Sequence, residues 1–315
     1  MQHHNTWIGI LLIAIICSLV LAGCSSVGQN QATADTKFLS VTDAAGNTVE
    51  VAKKPERIVV LSTSILDLLY AVDGKAIGRP SSKTSPAPEG AKDLPEIGYV
   101  YNINAEKVVS LQPDLIIGVQ GMHEKLVPVF ESNHIPVVLI KYRTLDDTYE
   151  TLRLLAKLSG TQEKAESVIQ HMQEDIQHTV DSFSQEKRYK VAILHGTAKD
   201  VTVELPSTTA GSIAKSLHMI NIAEGSTAIN PEGDVVSFSL EKIVQEDPDD
   251  IFVVTMGDIN EIKKNMNANF ETNPAWNSLR AVKQHNIYYL PQELFLLNPG
   301  IKMPEAVRYM ASHVQ

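Results

Sequence analysis

From residue 57 onward, short apolar runs alternate with amphipathic stretches. The runs at 58–61, 115–118, 137–140, 191–194, 251–254 and 287–290 are mostly apolar without alternation, as strands covered on both faces are. Strands of that kind interleaved with helical stretches build parallel sheets, so the pattern predicts an α/β fold. Between 161 and 186 the period changes. Ala165, Val168, Ile169, Met172, Ile176, Val180 and Phe183 recur at steps of three, one, three, four, four and three, which draws one apolar stripe along one long helix. Gly160 ends the stretch before it, Thr161 stands at the N-cap position and Glu163 falls in the first turn. At 1.5 Å per residue this helix would run on the order of 39 Å, enough to pass from one lobe to another.

The chain also repeats itself. Glu106-Lys107-Val108-Val109 followed by Pro113-Asp114 returns as Glu241-Lys242-Ile243-Val244 followed by Pro248-Asp249, with seven residues from Glu to Pro in both copies. Upstream, Arg57-Ile58-Val59-Val60-Leu61-Ser62 is mirrored by Lys190-Val191-Ala192-Ile193-Leu194-His195, and Ala76-Ile77-Gly78-Arg79-Pro80 by Thr202-Val203-Glu204-Leu205-Pro206. Downstream, His134-Ile135-Pro136 has an echo in His285-Asn286-Ile287. The expected architecture is therefore two similar α/β lobes with parallel-rich sheets, residues 55–160 and 188–315, joined by one long backbone helix at 161–187. A ligand cleft is expected between them.

Residues 7–23 form an uncharged apolar run, short for a spanning helix, that ends in Leu21-Ala22-Gly23-Cys24. This is the form of a lipobox, in which small residues admit a peptidase and the cysteine thiol takes a lipid. Residues 1–23 are read as a lipoprotein signal peptide, Cys24 as the lipidated residue, and 24–54 as a polar tether leading into the first lobe. The expected location is the outer face of the cell membrane. The two cysteines, Cys17 and Cys24, both precede the body, which can form neither an internal disulfide nor a thiolate metal site. A net charge of -10 argues against nucleic acid as a partner.

Several segments carry a family resemblance. They are Pro55-Glu56-Arg57-Ile58-Val59, Asn104-Ala105-Glu106-Lys107-Val108, Gln112-Pro113-Asp114-Leu115-Ile116, and the stretch from Glu241 to Ile251. With the lipobox, the tether and the doubled lobe, they make the chain resemble the substrate-binding lipoproteins of ABC importers that serve heme, ferric siderophores and cobalamin. Leu94-Pro95-Glu96-Ile97-Gly98 and the segment 276–290 resemble the Gram-positive heme-receptor lipoproteins in particular. The resemblance implies a monomeric binding protein and not an enzyme, with heme or another iron complex as a small-molecule cargo rather than a catalytic cofactor. It implies an ABC permease with ATPase subunits as partner, docked through one glutamate on each lobe, here Glu106 and Glu241. The repeat by itself makes those two positions equivalent, as a two-fold partner requires.

Ligands of such sheets lie beyond the carboxyl ends of the strands, which nominates Tyr99, Tyr101, Met122, His123, Arg79, Arg143, His195 and Met256. By the resemblance, Tyr101 and Met256 stand at the positions that ligate iron. Tyrosinate is a hard oxygen donor suited to ferric iron, and Met256 is a weak second ligand or an apolar wall. His195 and His123 are the reserve ligands, while Arg143, Lys141 and Arg79 would meet carboxylates. Tyr99 and Tyr142 belong to the same rim. A tetrapyrrole metal chelatase on the same scaffold is the alternative of a different class, with His195 as base or metal ligand. A receptor for a free metal would need histidines clustered with carboxylates, and here they are scattered. No HExxH, GxSxG or P-loop pattern occurs.

Overall fold

Each of the six apolar runs is a strand, three in each of two sheets. The computed structural model describes residues 37–83, 85–183, 188–230, 233–270 and 272–314. The signal peptide, Cys24 and the polar segment after it lie outside the described residues. The first lobe runs β1 (Leu39–Thr42), β2 (Thr48–Val51), β3 (Ile58–Val60), α1 (Thr63–Ala71), β4 (Ala76–Ser81), β5 (Glu96–Tyr99), β6 (Asn102–Ile103), α2 (Ala105–Ser110), β7 (Leu115–Val119), α3 (Val127–Ser132), β8 (Val137–Ile140) and α4 (Leu145–Ser159). Next come α5 (Gln162–Ser182) and then β9 (Lys190–Thr197), β10 (Val201–Glu204), α6 (Thr209–Ser216), β11 (Ile220–Asn221), β12 (Val235–Ser237), α7 (Leu240–Glu246) and β13 (Asp250–Met256). The chain closes with α8 (Ile259–Phe270), α9 (Pro274–Ser278), α10 (Arg280–Lys283), β14 (Ile287–Leu290), α11 (Gln292–Phe295) and α12 (Met303–His313).

The first sheet has the order β6-β5-β4-β3-β7-β8 and is parallel except for β6. The second has the order β12-β10-β9-β13-β14, with β11 also beside β9. Residues 39–51, expected in the approach to the first lobe, instead form the β1–β2 hairpin, which is bonded to that lobe from Ala44 N to Leu139 O at 2.7 Å.

The repeat is visible in matched polar contacts. Asp114 accepts the N–H groups of Glu56 and Arg57, each at 2.9 Å, and Asp249 accepts that of Lys190 at 2.9 Å. Arg57 Nη2 donates to Leu111 O at the end of α2, as Lys190 Nζ does to Glu246 O at the end of α7. The echo at His134 and His285 is also structural: both have positive φ, 59° and 62°, just past a helix end. One correspondence fails. β4 runs parallel to β3, whereas β10 folds straight back antiparallel on β9, so 202–206 is not the counterpart of 76–80. The counterpart of β4 is the short β11, parallel to β9 after α6, and β10 is an inserted hairpin arm that the apolar pattern alone could not tell from a sheet strand.

The long helix is present, ending at Ser182. Of the expected stripe, every residue is buried except Val168, which packs partly buried against the same core. Thr161 precedes it without capping it; its hydroxyl donates instead to Val72 O at 2.6 Å. Gly160 ends α4 at φ 76°, as the pattern predicts. α5 does not join the lobes alone. One continuous core contains Ile58, Leu68 and Leu155, then Ile169 and Met172 of α5, then Ile193, Ile213 and Phe252 of the second lobe, and Val307 and Met310 of α12. Separating the lobes would expose that surface at about 25 cal/mol per Å².

The return of the chain to the first lobe depends on Gly300. Its φ is 61°, and a Cβ there would stand 2.8 Å from Tyr142 Oη and 2.9 Å from Ser64 O. Gly300→Ala is expected to cost about 1–3 kcal/mol, read as a lower urea midpoint with an unchanged slope. Wild-type stability in that variant would remove this account.

Candidate ligand-binding cleft

The carboxyl ends of β3, β4 and β5 and the segment after β14 enclose a cleft of about 410 Å³. Ser62, Thr63 and Ser64 lead from β3 into α1, Ser81 and Ser82 follow in β4 and after it, and Gln292, Leu296 and Asn298 face them from the end of the chain. Asn298 fixes that second wall to the first lobe, donating from Nδ2 to Thr144 O at 3.0 Å and accepting from Gly300 N at 2.9 Å.

Tyr101 lies at the tip of a two-residue turn. Tyr99 pairs with Asn102 across it, and Gly98 at φ 103° makes the turn possible, because a Cβ there would meet Asn102 O at 2.4 Å. Tyr99 and Tyr101 are both exposed large side chains on the cleft wall. Partial burial raises the Tyr101 hydroxyl above its ordinary pKa, so without a bound cation it stays a neutral phenol at physiological pH. Lys83 Nζ stands 6.0 Å from the Tyr99 ring centroid.

His123 has a different place from that of a ligand. It is 2% exposed, its Nδ1 accepts from Val119 N at 2.9 Å and its Nε2 faces Val100 O at 3.0 Å. With one nitrogen accepting, the other carries the proton and donates to Val100, so neither is free for iron. His123 instead holds the turn that presents Tyr101. Met256, 48% exposed, ends β13 outside the cavity wall. Gln292, which does line the wall, donates from Nε2 to Thr255 Oγ1 at 3.0 Å and to Gly257 O at 2.6 Å, so Met256 sits at the margin of the cleft.

The remaining candidates are engaged elsewhere. His195 Nδ1 contacts Glu204 Oε1 at 3.0 Å inside the second lobe. Arg143 pairs across the lobes with Asp234, and Thr209 Oγ1 donates to its carbonyl at 2.9 Å. Arg79 pairs with Glu96 at 2.7 Å, and the Ser81 hydroxyl, ahead of Arg79, holds that carboxyl below its usual pKa. Met122 packs, partly buried, against the continuous core. Lys141 lies by Asp43 and Glu150, away from the cleft, and Tyr142 is buried. Among the described residues no group of three or more His, Cys, Asp or Glu converges on a metal site.

The sequence reading missed Asp67 and Lys302, which both line the cleft. Asp67 was legible as the one charged residue in the helix Thr63–Ala71. Glu106 and Glu241 are the second residues of α2 and α7, both exposed. The caps match: Asn104 accepts from Lys107 N at 2.9 Å and Ser239 from Lys242 N at 3.3 Å.

Residues 58–294 match the model of the periplasmic binding protein family. The chain belongs to that family. Members similar to it include two proteins of Bacillus subtilis. The ABC transporter substrate-binding lipoprotein YvrC is 24% identical over 99% of this chain and 97% of its own length. The Fe(3+)-citrate-binding protein YfmC is 23% identical over 96% and 95%. Among solved structures, Staphylococcus aureus IsdE complexed with heme superposes with a TM-score of 0.72 at 22% identity, over 82% of this chain and 98% of that one. The two-lobed α/β architecture of the family is the one described above.

Burial lowers the pKa of His123, so the folded state binds fewer protons there than the unfolded state. Stability from this group is present above the ordinary value of 6.5 and is lost as pH falls below it. His123→Ala leaves Val119 N–H and Val100 C=O unmet and is expected to cost about 2–4 kcal/mol. Denaturation curves at pH 7 would check this; a loss below half a kcal/mol would contradict the anchoring role.

Proposed function

We propose that this chain is the membrane-tethered substrate-binding protein of an ABC importer, which captures heme or another iron complex between its lobes and delivers it to the permease. The observation that carries the reading is Tyr101, an oxygen donor at the tip of a braced turn in a cleft walled by hydroxyl groups. Ferric iron favours such a donor. The relatives named for Fe(3+)-citrate and for heme support the same cargo class.

In this reading the protein binds and does not catalyse, and the iron complex is cargo. Tyr101 ligates the iron, and Met256, at the margin of the cleft, supplies a weak second ligand or a wall to the part of the cargo that extends beyond the cavity. Residues 1–23 are removed as a signal peptide and lipid on Cys24 holds a monomer at the outer face of the membrane. The segment 24–54 then leads into a first lobe of residues 55–160, joined through 161–187 to a second lobe of residues 188–315. The permease, with its ATPase subunits, docks on Glu106 and Glu241, whose matching positions in α2 and α7 suit a two-fold partner.

Titration with hemin is expected to give a saturable one-to-one Soret band with a tyrosinate-to-iron charge-transfer feature. Tyr101→Phe should abolish that feature and weaken binding about tenfold or more. An unchanged spectrum in the variant would remove Tyr101 as the ligand; no specific spectrum at all would move the cargo to ferric siderophores or cobalamin.

Glu106→Ala and Glu241→Ala should each slow uptake by the reconstituted importer about tenfold while leaving cargo affinity unchanged. Full transport by the double variant would exclude docking through this pair.

A further inference from the structure

We propose that Asp67 and Lys302 form a proton-controlled receptor for carboxylate groups of the cargo; this rests on reading the cleft as the ligand site. Asp67 projects from α1 between buried neighbours, Leu66 and Leu68. Lys302 ends the turn Gly300–Lys302, which packs against α1. The two side chains line the same cleft from opposite ends of the chain. Ser64 lines the cleft from the same helix as Asp67, Tyr142 follows β8 with a buried hydroxyl, and Lys83 and Glu293 complete the charged lining. The lining thus holds two ammonium groups and two carboxyls.

Protonation decides the balance. Burial raises the Asp67 carboxyl to about 6, with Lys302 opposing the rise only in part. Below that pH, Asp67 is neutral, Lys302 is unmatched and the cleft is net positive. A neutral carboxyl is also a hydrogen-bond donor to a cargo carboxylate. Above it, ionised Asp67 neutralises Lys302 and repels an anion. Affinity for a carboxylate-bearing cargo therefore falls as pH rises through about 6. Iron ligation by Tyr101 has the opposite sign, since displacing the phenolic proton becomes easier as pH rises, so the two effects can be separated.

The test is the binding of ferric citrate and of hemin, followed by tryptophan fluorescence from about pH 5 to about pH 8. It uses the full chain in wild type, Asp67→Asn, Lys302→Gln and Glu293→Gln, each checked for a cooperative thermal transition. Dividing each variant's affinity by that of wild type at the same pH removes changes in the probe itself. Asp67→Asn is expected to match wild type at the acid end and to bind about tenfold tighter at the alkaline end. Lys302→Gln should lose about tenfold at both ends and less between them, because the fall in affinity moves to higher pH once Lys302 no longer opposes the rise of Asp67. Glu293→Gln should bind tighter by a similar factor at every pH, keeping the midpoint of the wild-type profile. If Asp67→Asn does not fold, the Lys302→Gln ratio decides: a loss equal at all pH values overturns the proposal. So does an Asp67→Asn profile parallel to wild type while binding persists. Failure of wild type to bind either probe at any pH would instead overturn the cleft as the ligand site, and the proposal with it.

Discussion

Burial of one helical stripe between a helix of each lobe, α4 and α12, is the constraint on which the molecule depends. α5 cannot hide Ile169, Met172 and Val180 against either lobe alone, and the core that covers them runs without a break from Ile58 to Phe252 and Met310. Because this seam fixes the relation of the lobes, the strand ends of the first sheet and the chain after β14 meet along one opening. The polar ties at Asn298, Thr209 and the Arg143–Asp234 pair then act on an interface already held by packing. Large closure around a cargo would have to break the seam. A binding protein built this way recognises its ligand with side chains and loop tips more than with the swing of a hinge.

Much of the fold was legible because both faces of its central strands are buried. β3, β7, β8 and β13 are buried along nearly their whole length, and continuous apolar runs announce such strands. The duplication was legible because it is carried by groups with fixed geometric duties, above all Asp114 and Asp249, which precede β7 and β13 and accept from the backbone entering β3 and β9. The β10 arm was misplaced in the repeat for a physical reason. Val201–Glu204 pairs antiparallel and is only partly buried, and four residues of mixed polarity carry no sign of the direction in which they will run. Thr161 shows a similar limit: its hydroxyl had a backbone carbonyl from another helix end within reach, and that contact won over local capping.

The site was legible where a residue's position follows from a strand end, and not where its partner decides its role. Tyr99 and Tyr101 follow directly from the β5–β6 turn. His123, Arg143, Arg79 and His195 also lie near strand ends, but their functional atoms are turned to Val100, Asp234, Glu96 and Glu204. Nothing in a linear sequence pairs residues that are 9 to 91 positions apart. Asp67 and Lys302 escaped because one lies within a helix and the other beyond the last strand, away from the loops that topology nominates.

The β5–β6 turn carries one further consequence. Its tip is braced from behind at the Val100 carbonyl by His123 and its entry is closed by Gly98, while the Tyr101 side chain stands largely exposed. Exchange of the tip residue would alter donor chemistry without disturbing sheet register or core. Under the proposed ligation by Tyr101, such an arrangement makes cargo choice evolvable at a single codon, and a scaffold with that latitude can diversify its ligands while its framework stays the same.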